Sequence, residues 1–170
     1  MNKMWDEIAD KLRKYPAQEK VIRLLFERGF QVSRDGRVVS GGIELAHTQI
    51  AKEASVDRRV VTSTCELILN DALLSSIFFN LTPIPSLRDV AKALGFGVIV
   101  VTPQDASEGG IIRDVTRIVS SHDVNMQQLH ADNSLFMDSA KLTIILGDVV
   151  PDGLVEDLLS LNSVNSVSVS

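Results

Sequence analysis

The tetrapeptide Thr82-Pro83-Ile84-Pro85 constrains this chain more than any other feature of its 170 residues. Two prolines with one spacer remove two backbone donors and disfavour helix on both sides. No regular element is expected to run through them, so the chain divides there. Before the break, apolar residues recur mainly at helical spacing. After it, strand-like and helix-like segments alternate. The reading that follows is an α+β protein with domains at 1–81 and 97–170 and a linker helix within 82–96.

The charge divides in the same place. Residues 1–80 carry 12 Lys/Arg and 11 Asp/Glu, whereas residues 81–170 carry 5 and 11, so a net charge of −5 hides halves near +1 and −6. An acidic half is repelled by phosphates and is expected to face away from any duplex. With 45% apolar and 23% charged residues the composition is globular. No apolar run approaches the length of a membrane span, and the N-terminus turns acidic at once, without a secretion core. One cysteine, Cys65, excludes an internal disulfide framework. A cytoplasmic protein without membrane contact is the expectation.

In the first half, Trp5, Ile8 and Leu12 predict a helix over 3–14, and Pro16 opens a second that Gly29 stops. Asp35-Gly36 between β-prone flanks predicts a hairpin over 30–40, ended by Gly41-Gly42. A short helix over 48–53, a turn at Ala54-Ser55-Val56 and a longer helix capped by Asp57 make a helix-turn-helix outline. A last helix over 72–80 closes the half.

In the second half, Ser86 and Asp89 resemble a capping box before a short helix that Gly95 stops. The elements after it are a strand over 97–102, a polar loop, a helix over 110–122 striped by Ile111, Ile112, Val115, Ile118 and Val119, and a strand over 125–131. A turn over 132–138, a strand over 141–147, a helix over 151–161 and an alternating strand over 164–169 complete it. This β-α-β-β-α-β order is the ferredoxin-like plan.

Two places carry candidate chemistry. Arg58 and Arg59 follow the Asp57 cap, with Thr62 and Ser63 one turn on. In a helix-turn-helix, side chains at the start of the second helix meet base edges and phosphates, and arginine reads guanine bidentately. The plainer reading is a solvated helix start or a protein-docking module. Arg34 and Arg37 on the hairpin would act as a basic wing, or as nothing more than a surface hairpin. The second place is the loop from Asp105 to Ile111, where Glu108, Gly109 and Gly110 precede a helix. Backbone amides at a helix start favour a carboxylate, and Asp105 or Glu108 would take an ammonium group. A zwitterion fits, and so does an ordinary tight turn. His47, His122 and His130 lack metal-ligand spacing, and His122 is read as complementing a helix C-terminus. Cys65 reads as packed core. With no P-loop, GxGxxG or nucleophile elbow, neither an enzyme nor a cofactor is expected.

The strings His47-Thr-Gln-Ile-Ala-Lys, Val56-Asp-Arg-Arg-Val-Val61, Leu94-Gly-Phe-Gly-Val-Ile99, Gly109-Gly-Ile-Ile-Arg-Asp-Val115 and Lys141-Leu-Thr-Ile-Ile145 span most of the chain. By them it resembles the archaeal regulators of amino acid metabolism that join a helix-turn-helix to an ACT domain. The resemblance implies a winged helix-turn-helix that binds DNA, and an ACT domain that dimerises and binds an amino acid. The ACT site it implies uses the loop from Asp105 to Ile111 and the helix-to-strand corner at Asn125. One departure stands out: where such loops often read Asp-x-Pro-Gly, this chain has Ser107-Glu108-Gly109-Gly110. The reading is an amino-acid-responsive, homodimeric or larger transcription regulator. The alternative is a regulatory or assembly subunit of an amino acid enzyme that binds no DNA.

Overall fold

A computed structural model describes residues 12–132 and 140–170. The helix expected over 3–14 and the turn over 132–138 lie largely outside the described residues. The chain divides into two compact units, residues 1–85 and 86–170.

In the first unit, α1 (Pro16–Arg28) opens on a proline, where a missing donor costs nothing, and ends at Gly29. Gly29 sits at φ +65°, and the Phe30 amide donates to the Leu25 carbonyl at 2.8 Å, the back-bonding that closes a helix end. A side chain here has no room, because a Cβ would lie 2.8 Å from both Pro83 Cα and the Thr82 carbonyl oxygen. The proline break is thus seated against the end of α1. We expect Gly29→Ala to cost about 2–3 kcal/mol, from the left-handed backbone and the backbone collision together. Urea unfolding that shows no loss would contradict this seating.

Three short antiparallel strands follow: β1 (Gln31–Val32), β2 (Val38–Ser40) and β3 (Ile43–Leu45), ordered β1-β2-β3. The hairpin turns at Asp35-Gly36 as expected. The third strand was not expected, for Gly41 and Gly42, both at positive φ, do not end the hairpin but turn the chain into a further strand. Next come α2 (His47–Glu53), a turn at residues 54–56 and α3 (Arg58–Asn70), capped by Asp57 Oδ1 accepting from the Arg59 amide at 2.8 Å. Asp71 ends α3 and caps α4 (Ala72–Phe78) through the Leu73 and Leu74 amides. One face of α3, carrying Val61, Thr64, Cys65 and Ile68, is buried with Val21, Ile22, Leu25 and Phe78. That burial fixes which α3 residues face outward.

The second unit begins with a 3-10 helix, Arg88–Leu94, stopped by Gly95 at φ +75°. Ser86 Oγ accepts from the Arg88 amide at 3.3 Å, but the capping residue is Leu87, which supplies no side-chain cap, so the expected capping box of Ser86 and Asp89 is not made. The strands β4 (Gly97–Pro103), β5 (Met126–Ala131), β6 (Leu142–Leu146) and β7 (Val164–Val169) form one antiparallel sheet ordered β5-β6-β4-β7. Between them lie α5 (Ile111–Ser121) and α6 (Leu154–Leu159), the latter shorter than expected because Gly153, at φ +80°, opens it. Strand side chains alternate between faces. Ile99, Val101, Ile144 and Leu146 pack with Val115, Val119, Leu154 and Leu158 of the helices, while Val98, Val100 and Ile145 pack on the other face with Ala91 of the 3-10 helix. The expected α5 stripe is narrower than its five residues, as Ile112 is 48% exposed.

Among the described residues no single helix is long and apolar enough to cross a membrane.

Candidate functional site

Arg58 and Arg59 stand exposed at the start of α3, and neither has an ion-pair partner among the described residues. Their backbone is fixed by the Asp57 cap. Thr62 and Ser63 go to different flanks of the helix, about 100° apart as neighbouring helical residues are. Thr62 faces the hairpin: its Oγ1 donates to the Arg58 carbonyl at 3.3 Å and lies 3.1 Å from His47 Nδ1. Ser63 faces α1, where its half-buried Oγ donates to the Val60 carbonyl at 3.0 Å and accepts from Gln18 Nε2 at 3.2 Å. The sequence could not separate the two, because it did not say where α1 packs.

The two hairpin arginines differ in their surroundings. Arg37 is held by Asp35 at 2.8 Å and Glu44 at 2.6 Å. The Asp35 carboxyl titrates below the usual range, mainly because Ser33 donates to it, with Arg37 adding to the effect. Arg34 lies over the Phe79 ring, 5.8 Å from its centroid. On the turn, Arg37 therefore carries no surplus charge. The partner that cancels it, Glu44, sits on the strand the sequence did not predict.

Between the hairpin and α3 lies a cavity of about 530 Å³ that includes Asp35, Arg37, Glu44, His47, Arg58 and Glu66 in its lining. His47 Nε2 is 3.8 Å from Cys65 Sγ at its base. Cys65 is buried, and burial, with the nearby Glu66 charge, pushes its thiol up to about 11. It is a neutral packing group at neutral pH and not a nucleophile.

In the second unit a cavity of about 460 Å³ opens at the C-terminal end of β4. It brings together Glu108, Gly109, Gly110 and Ile111 of the expected set, and adds Arg113, Asp132 and Lys141, which the sequence reading missed. Gly110 caps α5 at φ +99°, and the Arg113 guanidinium lies 3.1 Å from where its Cβ would be. Arg113 also grips Asp114 through two hydrogen bonds of 3.0 and 3.1 Å. Asp132 Oδ2 accepts from the Lys141 amide at 3.1 Å. Leu142, Ala140, Ile111 and Ile112 supply an apolar wall.

Two expected members are not part of this cavity. The Asp105 carboxylate turns back on its own loop, accepting from the Ser107 amide at 2.8 Å and its hydroxyl at 2.6 Å, which holds its titration below the usual range. Asn125 lies at the other end of the sheet, where its carbonyl accepts from the Gly147 amide at 2.8 Å. The crossover explains this. Met126 pairs with Leu146 and Ala131 with Leu142, while Gly97 and Val101 of β4 pair with those same two residues. Strands β4 and β5 therefore start at one end, and the loop after β4 is at the other, about 15–20 Å away. His122 does not merely face a helix end: its Nε2 lies 2.8 Å from Asp157 Oδ2, tying α5 to α6.

Among the described residues, no group of three or more His, Cys, Asp or Glu side chains is placed to hold a metal ion.

No protein-family model matches the chain, and no curated protein matches it. Among solved structures, it is similar to an AsnC family transcriptional regulator from Agrobacterium tumefaciens, at 12% identity over 91% of this chain and 86% of that one, with a TM-score of 0.29.

Proposed function

We propose that the chain is a transcription regulator that binds DNA through α3 and responds to a small zwitterion, an amino acid, bound by its second unit. The observation that carries this reading is the pair Arg58 and Arg59: two exposed guanidiniums with no partner among the described residues, on a capped helix whose opposite face is core. A helix of this kind inserts its N-terminal residues into the major groove, where the two arginines read guanine or hold phosphate. In this reading residues 1–81 are a helix-turn-helix DNA-binding domain and residues 97–170 an ACT-type, ferredoxin-like domain that also dimerises, so that two reading heads meet two half-sites. The residues proposed for DNA are Arg58, Arg59 and Thr62, with Arg34 at the margin.

The ligand site is the cavity at Gly109 and Gly110. Amides at the start of α5, with Lys141 and Arg113, suit a carboxylate, and Glu108 and Asp132 suit an ammonium group. The apolar wall accepts the side chain.

A thermal-unfolding panel of the free amino acids tests the sensor half. A ligand at a hundredfold excess over its dissociation constant stabilises by about 2.7 kcal/mol. We expect at least one amino acid to raise the melting temperature, and Lys141→Glu to abolish the rise. A flat panel contradicts the sensor half. A rise untouched by Lys141→Glu contradicts the placement of the site.

A further inference from the structure

The charged side chains are distributed unequally about α3. On the hairpin flank, three carboxylates, Asp35, Glu44 and Glu66, oppose two guanidiniums, of which Arg37 is already bound twice. A phosphodiester strand laid in that cavity meets more carboxylates than guanidiniums, Arg34 of the same hairpin lying outside its lining. On the other flank, α3 and the start of α1 border an open groove of about 350 Å³. Lys14, Tyr15, Gln18, Val60 and Ser63 line it, and among the described residues no carboxylate does. Lys14 is exposed, with no ion-pair partner among the described residues. Tyr15 is 58% exposed, although it is a large aromatic. Gln18 is fixed toward the groove by its bond to Ser63. The nearest carboxylate along α1, Glu19, is bound by Arg23 at 3.0 Å. The turn that carries Lys14 and Tyr15 is itself anchored: Leu12 is buried, and the Tyr15 amide donates to its carbonyl at 2.8 Å.

We propose that the groove between α3 and the start of α1 is a phosphate-backbone contact, with Lys14 as its cation, the Tyr15 and Gln18 side chains as its neutral hydrogen-bond donors, and Ser63 holding Gln18 in place. The backbone of a bound duplex crosses α3 on this side and not along the hairpin. The inference rests on the proposed DNA reading and deepens it, by assigning the flank. Lys14 was not among the candidate residues of the sequence, since only the packing of α1 beside α3 makes it a neighbour of the reading helix.

Fluorescence anisotropy of the full chain with a labelled mixed-sequence duplex, repeated over a range of salt, tests it. Each phosphate neutralised by a side chain adds about 0.9 to the slope of log affinity against log salt. Lys14→Ala is expected to lower that slope by about 1 and to weaken all duplexes alike. Lys14→Glu is expected to weaken binding further, and Arg37→Ala to leave the slope unchanged. These side chains are exposed, so thermal unfolding should match the wild type for all three. If Arg37→Ala lowers the slope, or Lys14→Ala does not, the flank is misassigned although the chain binds DNA. If the wild type shows no salt-dependent binding, the DNA reading fails as well.

Discussion

Replacing both Arg58 and Arg59 by alanine will reduce affinity for a specific duplex by at least about thirtyfold and leave the fold intact. Each guanidinium that pairs with a base edge contributes about 1–3 kcal/mol, so two at the lower figure multiply to that factor. The fold should not notice. Both side chains are exposed and make no ion pair among the described residues. The Asp57 cap accepts from the Arg59 backbone amide, which alanine retains. Alanine is also the residue best suited to a helix. Gel shift gives the affinity, and circular dichroism the fold. Unchanged affinity in a folded double variant would remove α3 as the reading head, whichever partner the unit has.

The second large effect concerns stability. Phe78 is fully buried among Val21, Ile22, Leu25 and Ile68, at the point where α4 closes the first unit. Phe78→Ala should cost about 3–5 kcal/mol, the transfer term plus the cavity it leaves. In a unit of this size that lowers the melting temperature by roughly 12 °C or more. The contrast is Ile43, equally apolar but 70% exposed on β3, where Ile43→Ala should stay within about 0.5 kcal/mol. Urea denaturation of the two variants separates burial from mere hydrophobicity. Equal losses would mean that α4 does not close the core as described.

The order of elements was legible in the sequence wherever one strong local signal sufficed. Pro16, Gly29, Asp35-Gly36, Asp57 and Gly95 each mark a boundary through backbone chemistry that needs no tertiary partner. What was not legible depended on packing. The strand Ile43–Leu45 is three residues long, too short for a period to declare itself. Missing it hid the fate of Arg37, since Val39 faces Glu44 across that pair of strands and so brings Glu44 to a diagonal position beside Arg37. Ser63 reads like Thr62 in the sequence, yet only one of them meets α1. Asn125 was placed near the glycine loop by resemblance alone, and the direction of the β4–α5–β5 crossover sends it to the far end of the sheet. Arg113 and Lys141 entered the cavity unforeseen because they come from different elements, which only the folded chain brings to one place.

The central claim is that the first unit presents Arg58 and Arg59, without an ion-pair partner among the described residues, to DNA at the start of α3. The most direct test is a salt titration of wild-type affinity for duplex DNA. The account predicts a linear fall of log affinity with log salt, with a slope of several units, each about 0.9 recording one neutralised phosphate. Binding that ignores salt, or no binding at low salt, would contradict it.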